Sequence, residues 1–123
     1  MSTTSHSNLN MFRFETHLDT FPTGGLIFGE GEEGQTMYVV KDGEVDIVVR
    51  GKVVETVGPG GILGEMALID KNPRSASAIA KTDCSLVSIS EDRFKYLIRQ
   101  NPFFALEVMR VMADRLRRMD AQP

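Results

Sequence analysis

The 123-residue sequence contains one cysteine, two histidines and no tryptophan. Because Cys84 is the only cysteine, it cannot form an intrachain disulfide, which is typical of proteins from reducing compartments. The polar segment 1–10 has no apolar run, so it predicts no signal peptide. No stretch elsewhere is long and apolar enough to predict a membrane span. We therefore expect a cytoplasmic protein without a membrane contact.

The scarcity of histidine limits the chemistry available to the chain. His6 lies in the polar N-terminal segment and His17 follows shortly after it. Since barrel enzymes usually hold their metal with histidines, and no His/Glu cluster falls on the predicted strands, no metal site is expected. No nucleophile is paired with a neighbouring base either. We expect a protein without a metal, a cofactor or an enzymatic activity.

The charge balance narrows the range of partners. Hydrophobic residues make up 41% of the sequence and charged residues 25%, which is typical of one globular domain. The net charge of −3 gives no general attraction to nucleic acids or anionic membranes. Any phosphate that this chain recognises must therefore be bound by local geometry.

Short strands separated by turns are predicted from Phe12 to about Ile89. Val45, Ile47 and Val49 alternate with less apolar neighbours, and this period of two is typical of a strand with one buried face. Further strands are predicted at residues 36–40, 53–57, 77–80 and 84–89, with turns at 22–25, 42–43, 50–51 and 58–61. Many short strands at this spacing favour an antiparallel barrel or a jelly roll.

The pattern becomes helical after Ser90. Ser90 is a suitable N-cap for one helix, and Asn101-Pro102 is a typical start of a second. In this second helix we predict an apolar stripe formed by Ala105, Met109, Met112, Leu116 and Met119. Further apolar residues lie beside the stripe: Phe104, Val108 and Val111. The polar face behind it consists of Glu107, Arg110, Asp114, Arg117 and Arg118. We expect this helix to pack on the barrel along one edge.

The segment from Gly64 to Ala76 is the most informative in the chain. Gly64 suits a tight turn into a short helix, whose first N–H groups have no internal acceptor and suit an anion. Glu65 follows as an acceptor suited to a sugar hydroxyl, and Arg74, nine positions later, offers a fork of donors that matches phosphate. The hydroxyl of Ser75 comes next. These groups suit one small ligand that carries a sugar and a phosphate.

Each of these residues also has a simpler interpretation. Gly64 is also explained as an ordinary turn residue, and Glu65 as a charge that stabilises the helix dipole. Arg74 is also explained as a surface residue or as the partner of Asp70, and Ser75 as a plain loop serine. The combination, in this order and after a run of strands, favours the ligand site.

The same residues resemble the cyclic nucleotide-binding domain family. The phosphate-binding cassette of that family resembles Leu63-Gly64-Glu65-Met66-Ala67-Leu68 followed, after a spacer, by Pro73-Arg74-Ser75-Ala76. Segments 27–32 and 37–45 resemble the early strands of the family. The resemblance covers roughly residues 20–116, and Leu63 replaces the usual aromatic residue.

The resemblance implies a fold and a domain arrangement. The expected fold is mainly β with flanking helices: an eight-stranded antiparallel jelly-roll β-barrel at about 14–89, a short cassette helix, and C-terminal helices at about 90–119. The binding domain would span residues 13–119, after a disordered or poorly ordered tail at 1–12.

The resemblance also implies roles for individual residues. Glu65 would accept from the ribose 2′-hydroxyl, and Arg74 and Ser75 would hold the cyclic phosphate. The backbone donors of the cassette would come from Gly64, Met66, Ala67 and Ala76. Ile47 and Val54 would make apolar contacts to the base. Arg110 and Arg115 of the last helix are the candidates that would cap the base.

Finally, the resemblance implies a ligand-sensing regulatory module. The Arg-Ser-Ala variant favours cyclic AMP over cyclic GMP, and an unidentified protein partner would read the bound state. No recognition helix follows the last helix in this sequence, so we expect no nucleic-acid binding. The last helix predicts either a monomer or a weak homodimer. The alternatives are a domain of this fold that binds another signal, such as a cyclic dinucleotide, or an interaction domain that binds none.

Overall fold

The computed structural model describes residue 12 and residues 15–121, with side chains as far as residue 118. The elements are, in chain order, β1 Asp19–Phe21, β2 Leu26–Phe28, β3 Thr36–Asp42, β4 Val45–Val49, β5 Lys52–Val57, β6 Ile62–Leu63, α1 Glu65–Asp70, β7 Ser77–Ala80, β8 Cys84–Ser90, α2 Glu91–Gln100 and α3 Pro102–Ala121. Most of the predicted tail lies outside the described residues.

The strands form two four-stranded antiparallel sheets. One has the order β1-β8-β3-β6 and the other the order β2-β7-β4-β5. Non-consecutive neighbours in both sheets are typical of a jelly roll. The predicted fold class, mainly β with eight antiparallel strands and flanking helices, is confirmed.

Alternating side chains of the two sheets build a shared core. Val40 and Leu86 of the first sheet and Val45 and Ala78 of the second belong to one buried cluster. A second cluster joins the outer part of the first sheet to the helices through Met37, Ile89, Leu97, Phe104 and Val108. Because α3 contributes to this second cluster, its position depends on packing against the first sheet.

The start of α2 and the start of α3 follow their sequence signals. The Ser90 hydroxyl accepts a hydrogen bond from the Arg93 amide at 3.2 Å, as a helix N-cap does. Asn101 ends α2, and its side chain accepts from the Phe103 amide at 3.1 Å as α3 begins. These two caps confirm the predicted break between the helices.

The buried face of α3 differs from the predicted one. Met109 and Leu116 of the predicted stripe are 55% and 50% exposed, whereas Phe104 and Val108 are buried. Glu107, predicted on the polar face, is only 6% exposed and accepts a hydrogen bond from Arg110 at 3.1 Å. The stripe was wrong by part of a turn because α3 packs through its Phe104 face, which the sequence marked only as the flank.

The residue at the end of the predicted tail belongs to the core. Phe12 is 1% exposed, and its ring lies edge-on to Phe104 with centroids 6.3 Å apart. Phe94 contacts Phe104 in the same way at 5.9 Å. The aromatic cluster therefore joins this residue to α2 and α3.

Candidate functional site

A cavity of about 610 Å³ lies between α1, the second sheet and α3. Volumes of this size are common for small-molecule sites. Ten of the eleven residues predicted to contact a ligand or cap its base line it: Ile47, Val54, Gly64, Glu65, Met66, Ala67, Arg74, Ser75, Ala76 and Arg115. Residues far apart in the chain thus meet in one hollow.

Gly64 lets the chain turn from β6 into α1. Its φ of 79° lies in the left-handed region that favours glycine. A Cβ atom there would also lie 2.8 Å from Nη1 of Arg74. Both the backbone conformation and the close approach of the arginine therefore favour glycine at this position.

Arg74 is buried beside this turn, with only 6% of its surface exposed. Its Nη1 donates to the Gly64 carbonyl at 3.0 Å and its Nη2 donates to the Thr36 carbonyl at 2.8 Å. Its Nε is buried and has no hydrogen-bond partner. Within the part of the chain that the structure describes, no carboxylate forms an ion pair with it, so the pairing with Asp70 is not found.

The electrostatics of Arg74 follow from this environment. Burial lowers the pKa of its guanidinium from the ordinary value, and the acidic groups around it offset only part of this effect. The group remains charged because the pKa of arginine starts so high. Arg74 is therefore a buried cation bonded to neutral carbonyls, and it lines a hollow that an anion can enter.

Glu65, by contrast, already has a cationic partner. Its carboxylate is 2% exposed and accepts a hydrogen bond from Nη1 of Arg115 at 2.7 Å. The same guanidinium donates to both carboxylate oxygens of Glu55, at 2.9 and 3.1 Å, and to the Ile62 carbonyl at 2.7 Å. Arg115 of α3 thus forms hydrogen bonds to β5, to β6 and to the first residue of α1.

The two carboxylates explain the pKa of Arg115. Burial alone would lower it, but the charges of Glu65 and Glu55 and their hydrogen bonds outweigh burial and raise the pKa above its ordinary value. Arg118 adds a second cation near Glu55, 3.4 Å from its Oε1. The Glu55 end of the cavity is therefore charge-balanced within the protein.

Of the two arginines predicted as base caps, only Arg115 lines the cavity. Arg110 is not among the lining residues, and its guanidinium pairs with Glu107 on its own helix at 3.1 Å. Ile47 and Val54 lie on the neighbouring strands β4 and β5, where they offer apolar contact to a ligand. Ser75 is exposed at the cavity wall, next to Arg74.

Eight lining residues were missed by sequence reasoning, and three of them contact the arginines or carboxylates of the site: Phe28, Glu55 and Arg118. Phe28 lies directly under the Arg74 guanidinium, with Cζ 4.1 Å from the ring centroid. Glu55 lies 60 positions before its partner Arg115, so no local spacing connects them. For Glu55, the only signal was its place on the strand predicted at residues 53–57.

Comparison with known proteins assigns the family. The model of the cyclic nucleotide-binding domain matches residues 18–101. The chain belongs to this family. The cyclic AMP receptor protein of Thermus thermophilus is 35% identical over 107 residues, and a CRP-like cAMP-activated global transcriptional regulator of Mycobacterium tuberculosis is 34% identical over 103 residues. These matches cover 83% and 80% of this chain but 50% and 46% of the relatives, so this domain spans about half their length.

Solved structures share the fold of this domain. The catabolite activator protein of Thermus thermophilus is 30% identical with a TM-score of 0.77, and the match covers 98% of this chain and 57% of that one. A structure connected with a cyclic-GMP-dependent signalling pathway that regulates bacterial phytopathogenesis is 25% identical with a TM-score of 0.76, and the match covers 94% of each chain. The family resemblance read from the cassette is therefore confirmed.

Across residues 12 and 15–121, none of the helices combines the length and the hydropathy needed to cross a membrane. In the same part of the chain, no three histidine, cysteine, aspartate or glutamate side chains are grouped so that they would hold a metal ion.

Proposed function

We propose that this domain binds one cyclic mononucleotide in the cavity, with cyclic AMP favoured over cyclic GMP, and acts as a ligand-sensing regulatory module. The observation that carries this proposal is the buried Arg74 guanidinium, which faces the hollow without a carboxylate partner. A buried charge that lacks a counterion favours binding an anion. A cyclic phosphate fits because it carries one negative charge and several acceptor oxygens.

The lining residues support a specific placement of the ligand. The phosphate lies against Arg74 and the Ser75 hydroxyl, next to the Gly64 turn and the backbone of Met66, Ala67 and Ala76. The ribose hydroxyl donates to Glu65. The base then extends toward Ile47 and Val54 on the second sheet.

Arg115 gives this site a link to the last helix. At rest it donates to Glu65, the same carboxylate that the ribose hydroxyl uses in the proposed complex. We infer that the ribose hydroxyl shares this carboxylate with Arg115 and alters that contact of α3, and that a protein that binds α3 differently in the two states reads the change. Arg115 also remains the candidate for the base cap.

The choice of base is supported by the relatives. Two of them are named for cyclic AMP, and Ser75 stands where the bacterial activator variant of the motif has serine. Because a similar structure is connected with a cyclic-GMP-dependent signalling pathway, cyclic GMP is the main alternative to cyclic AMP as the ligand. A cyclic dinucleotide, or no ligand, is the remaining alternative.

We further propose a cytoplasmic, non-enzymatic protein that is a monomer or a weak homodimer. One structural neighbour is an EAL enzyme, so this fold also occurs within enzymes. In this chain the cavity holds no metal-ligating cluster among the described residues. A homodimer is supported by exposed apolar side chains along α3: Phe103, Leu106, Met109 and Leu116.

Isothermal titration calorimetry with cyclic AMP, cyclic GMP and a cyclic dinucleotide tests this proposal. We expect saturable binding of one cyclic AMP per chain and weaker binding of cyclic GMP. Heat from the dinucleotide alone would support the alternative ligand, and no binding of any of the three would contradict the sensor function. Light scattering on the same samples decides between monomer and dimer.

A further inference from the structure

The Arg74 guanidinium lies on an aromatic ring. Its Cζ is 4.1 Å from the centroid of Phe28, and Phe28 is itself stacked on Tyr38 with ring centroids 6.2 Å apart. A cation at this distance from a ring face is attracted by the ring quadrupole, most strongly where water is excluded. Both Arg74 and Phe28 are buried here. The ring therefore stabilises one position of the guanidinium without neutralising its charge.

Gly34 also lies close against the guanidinium. A Cβ built on Gly34 would lie 2.5 Å from both Nε and Nη2 of Arg74 and 2.6 Å from Cζ. Gly34 does not have a positive φ, so its backbone accommodates alanine without strain. The space in front of Gly34 is thus occupied by the arginine, and a side chain at this position would compete for it.

We infer that Phe28 and Gly34 are positioning residues that hold Arg74 ready for the phosphate. This inference rests on the proposed function. The ring supports the guanidinium, the missing side chain leaves room for it, and the carbonyls of Gly64 and Thr36 fix its two terminal nitrogens. Neither Phe28 nor Gly34 carries a negative charge. Their contacts therefore hold the guanidinium in one position while its positive charge stays available to an anion.

The physical benefit is preorganisation. A free arginine side chain loses much rotamer freedom when it is fixed, and a ligand that has to order it binds more weakly. In this chain the order exists before the ligand arrives, and Nε keeps a donor without a partner. Disturbing the ring or the glycine should therefore weaken recognition of the phosphate alone.

The experiment compares cyclic AMP with adenosine, which lacks the phosphate, by calorimetric titration or competition. For Gly34→Ala we expect affinity for cyclic AMP to fall on the order of tenfold to a hundredfold, since a small misplacement of a binding group has effects of this size. For Phe28→Leu we expect a loss of about threefold to thirtyfold. Affinity for adenosine should stay within about twofold of wild type in both variants.

Matched controls separate positioning from general damage. Gly58 also has no positive φ, and a Cβ there would meet no atom within 4 Å, so Gly58→Ala should bind like wild type. Phe94→Leu removes a core ring that packs on Phe104 instead of Arg74. In an Arg74→Lys background the ammonium keeps an attraction to the ring but lacks the planar guanidinium, so the further effects of Gly34→Ala and Phe28→Leu should be clearly smaller than in wild type.

The inference is overturned if Gly34→Ala and Phe28→Leu bind cyclic AMP like wild type, if adenosine loses as much affinity as cyclic AMP, or if the losses are undiminished in the Arg74→Lys background.

Failure of wild type to bind any cyclic nucleotide would instead contradict the proposed function. In that case, urea unfolding of wild type, Gly34→Ala, Arg74→Lys and the double variant measures the coupling of Gly34 with Arg74 in the ligand-free protein, and zero coupling overturns the positioning role.

Discussion

Arg74 and Arg115 both line the cavity, and their surroundings differ. Arg115 donates to two carboxylates and one carbonyl, and its pKa is raised despite burial. Arg74 donates to two carbonyls, lies on a ring, keeps an unpartnered Nε, and has a lowered pKa because of burial. Residue type and depth are similar, so the difference comes from the partners.

The two cations differ in whether the protein balances their charge, and this difference indicates different roles. A guanidinium with its charge balanced by the protein stabilises the contact between elements, and its loss leaves carboxylates buried. A guanidinium whose charge is not balanced favours an incoming anion, and its loss mainly affects binding. Arg115 thus holds α3 on the cavity, whereas Arg74 binds the phosphate in the proposed complex.

The largest expected effect on stability comes from Arg115→Ala. Glu65 would remain buried without its cation, and Glu55 would lose its two-point partner. Breaking a buried pair in this way costs about 3–5 kcal/mol of the free energy of unfolding. Urea denaturation of the ligand-free protein measures it. A loss below about 1 kcal/mol, as for surface pairs, would remove the distinction between the two arginines.

A smaller effect is expected on affinity from Glu65→Gln. The amide oxygen still accepts from Arg115, but the ribose hydroxyl loses a charged acceptor. Since hydrogen bonds to charged groups contribute about 1.5–3 kcal/mol, cyclic AMP should bind more weakly by about that amount. The matched probe is 2′-deoxy cyclic AMP, for which the variant and wild type should differ little. An equal loss for both nucleotides would contradict the role given to Glu65.

The smallest effects are expected from the exposed arginines of α3. Arg118 is half-exposed and lies 3.4 Å from Glu55, and Arg110 pairs with Glu107 outside the cavity. The Arg118–Glu55 pair, whose arginine is half-exposed, contributes about 0–1 kcal/mol. Arg110 pairs with a buried carboxylate, so its substitution tests the affinity alone. We expect Arg118→Ala to lower thermal stability slightly, and Arg110→Ala to leave cyclic AMP affinity unchanged in titrations. A strong loss of affinity in Arg110→Ala would restore it as a base cap.

Local patterns in the sequence were sufficient for the five longer strands, the helices and the cassette, but not for the short strands β1, β2 and β6. The alternation at Val45, Ile47 and Val49 predicted β4, and Ser90 marked the start of α2. The cassette predicted which residues line the cavity because Gly64, Glu65, Arg74 and their neighbours are close in the chain. Each of these signals acts over a few residues.

The parts that could not be predicted depend on contacts between distant elements. The face that α3 buries is decided by the shape of the second core cluster, so Glu107 is buried and Met109 is exposed. The bond between Arg115 and Glu55 joins residues 60 positions apart, and the ring of Phe28 meets Arg74 because β2 pairs with β7. Spacing in a single sequence carries no information on such pairs.

The most direct test of the account is the affinity of Arg74→Ala for cyclic AMP, measured by calorimetry beside wild type, with urea unfolding as the control for folding. The account predicts a loss of about 2–5 kcal/mol in binding free energy, as expected when a desolvated charged partner is removed. Its unfolding free energy should change far less than that of Arg115→Ala. Wild-type affinity in a folded Arg74→Ala variant would contradict the claim that this cation holds the phosphate.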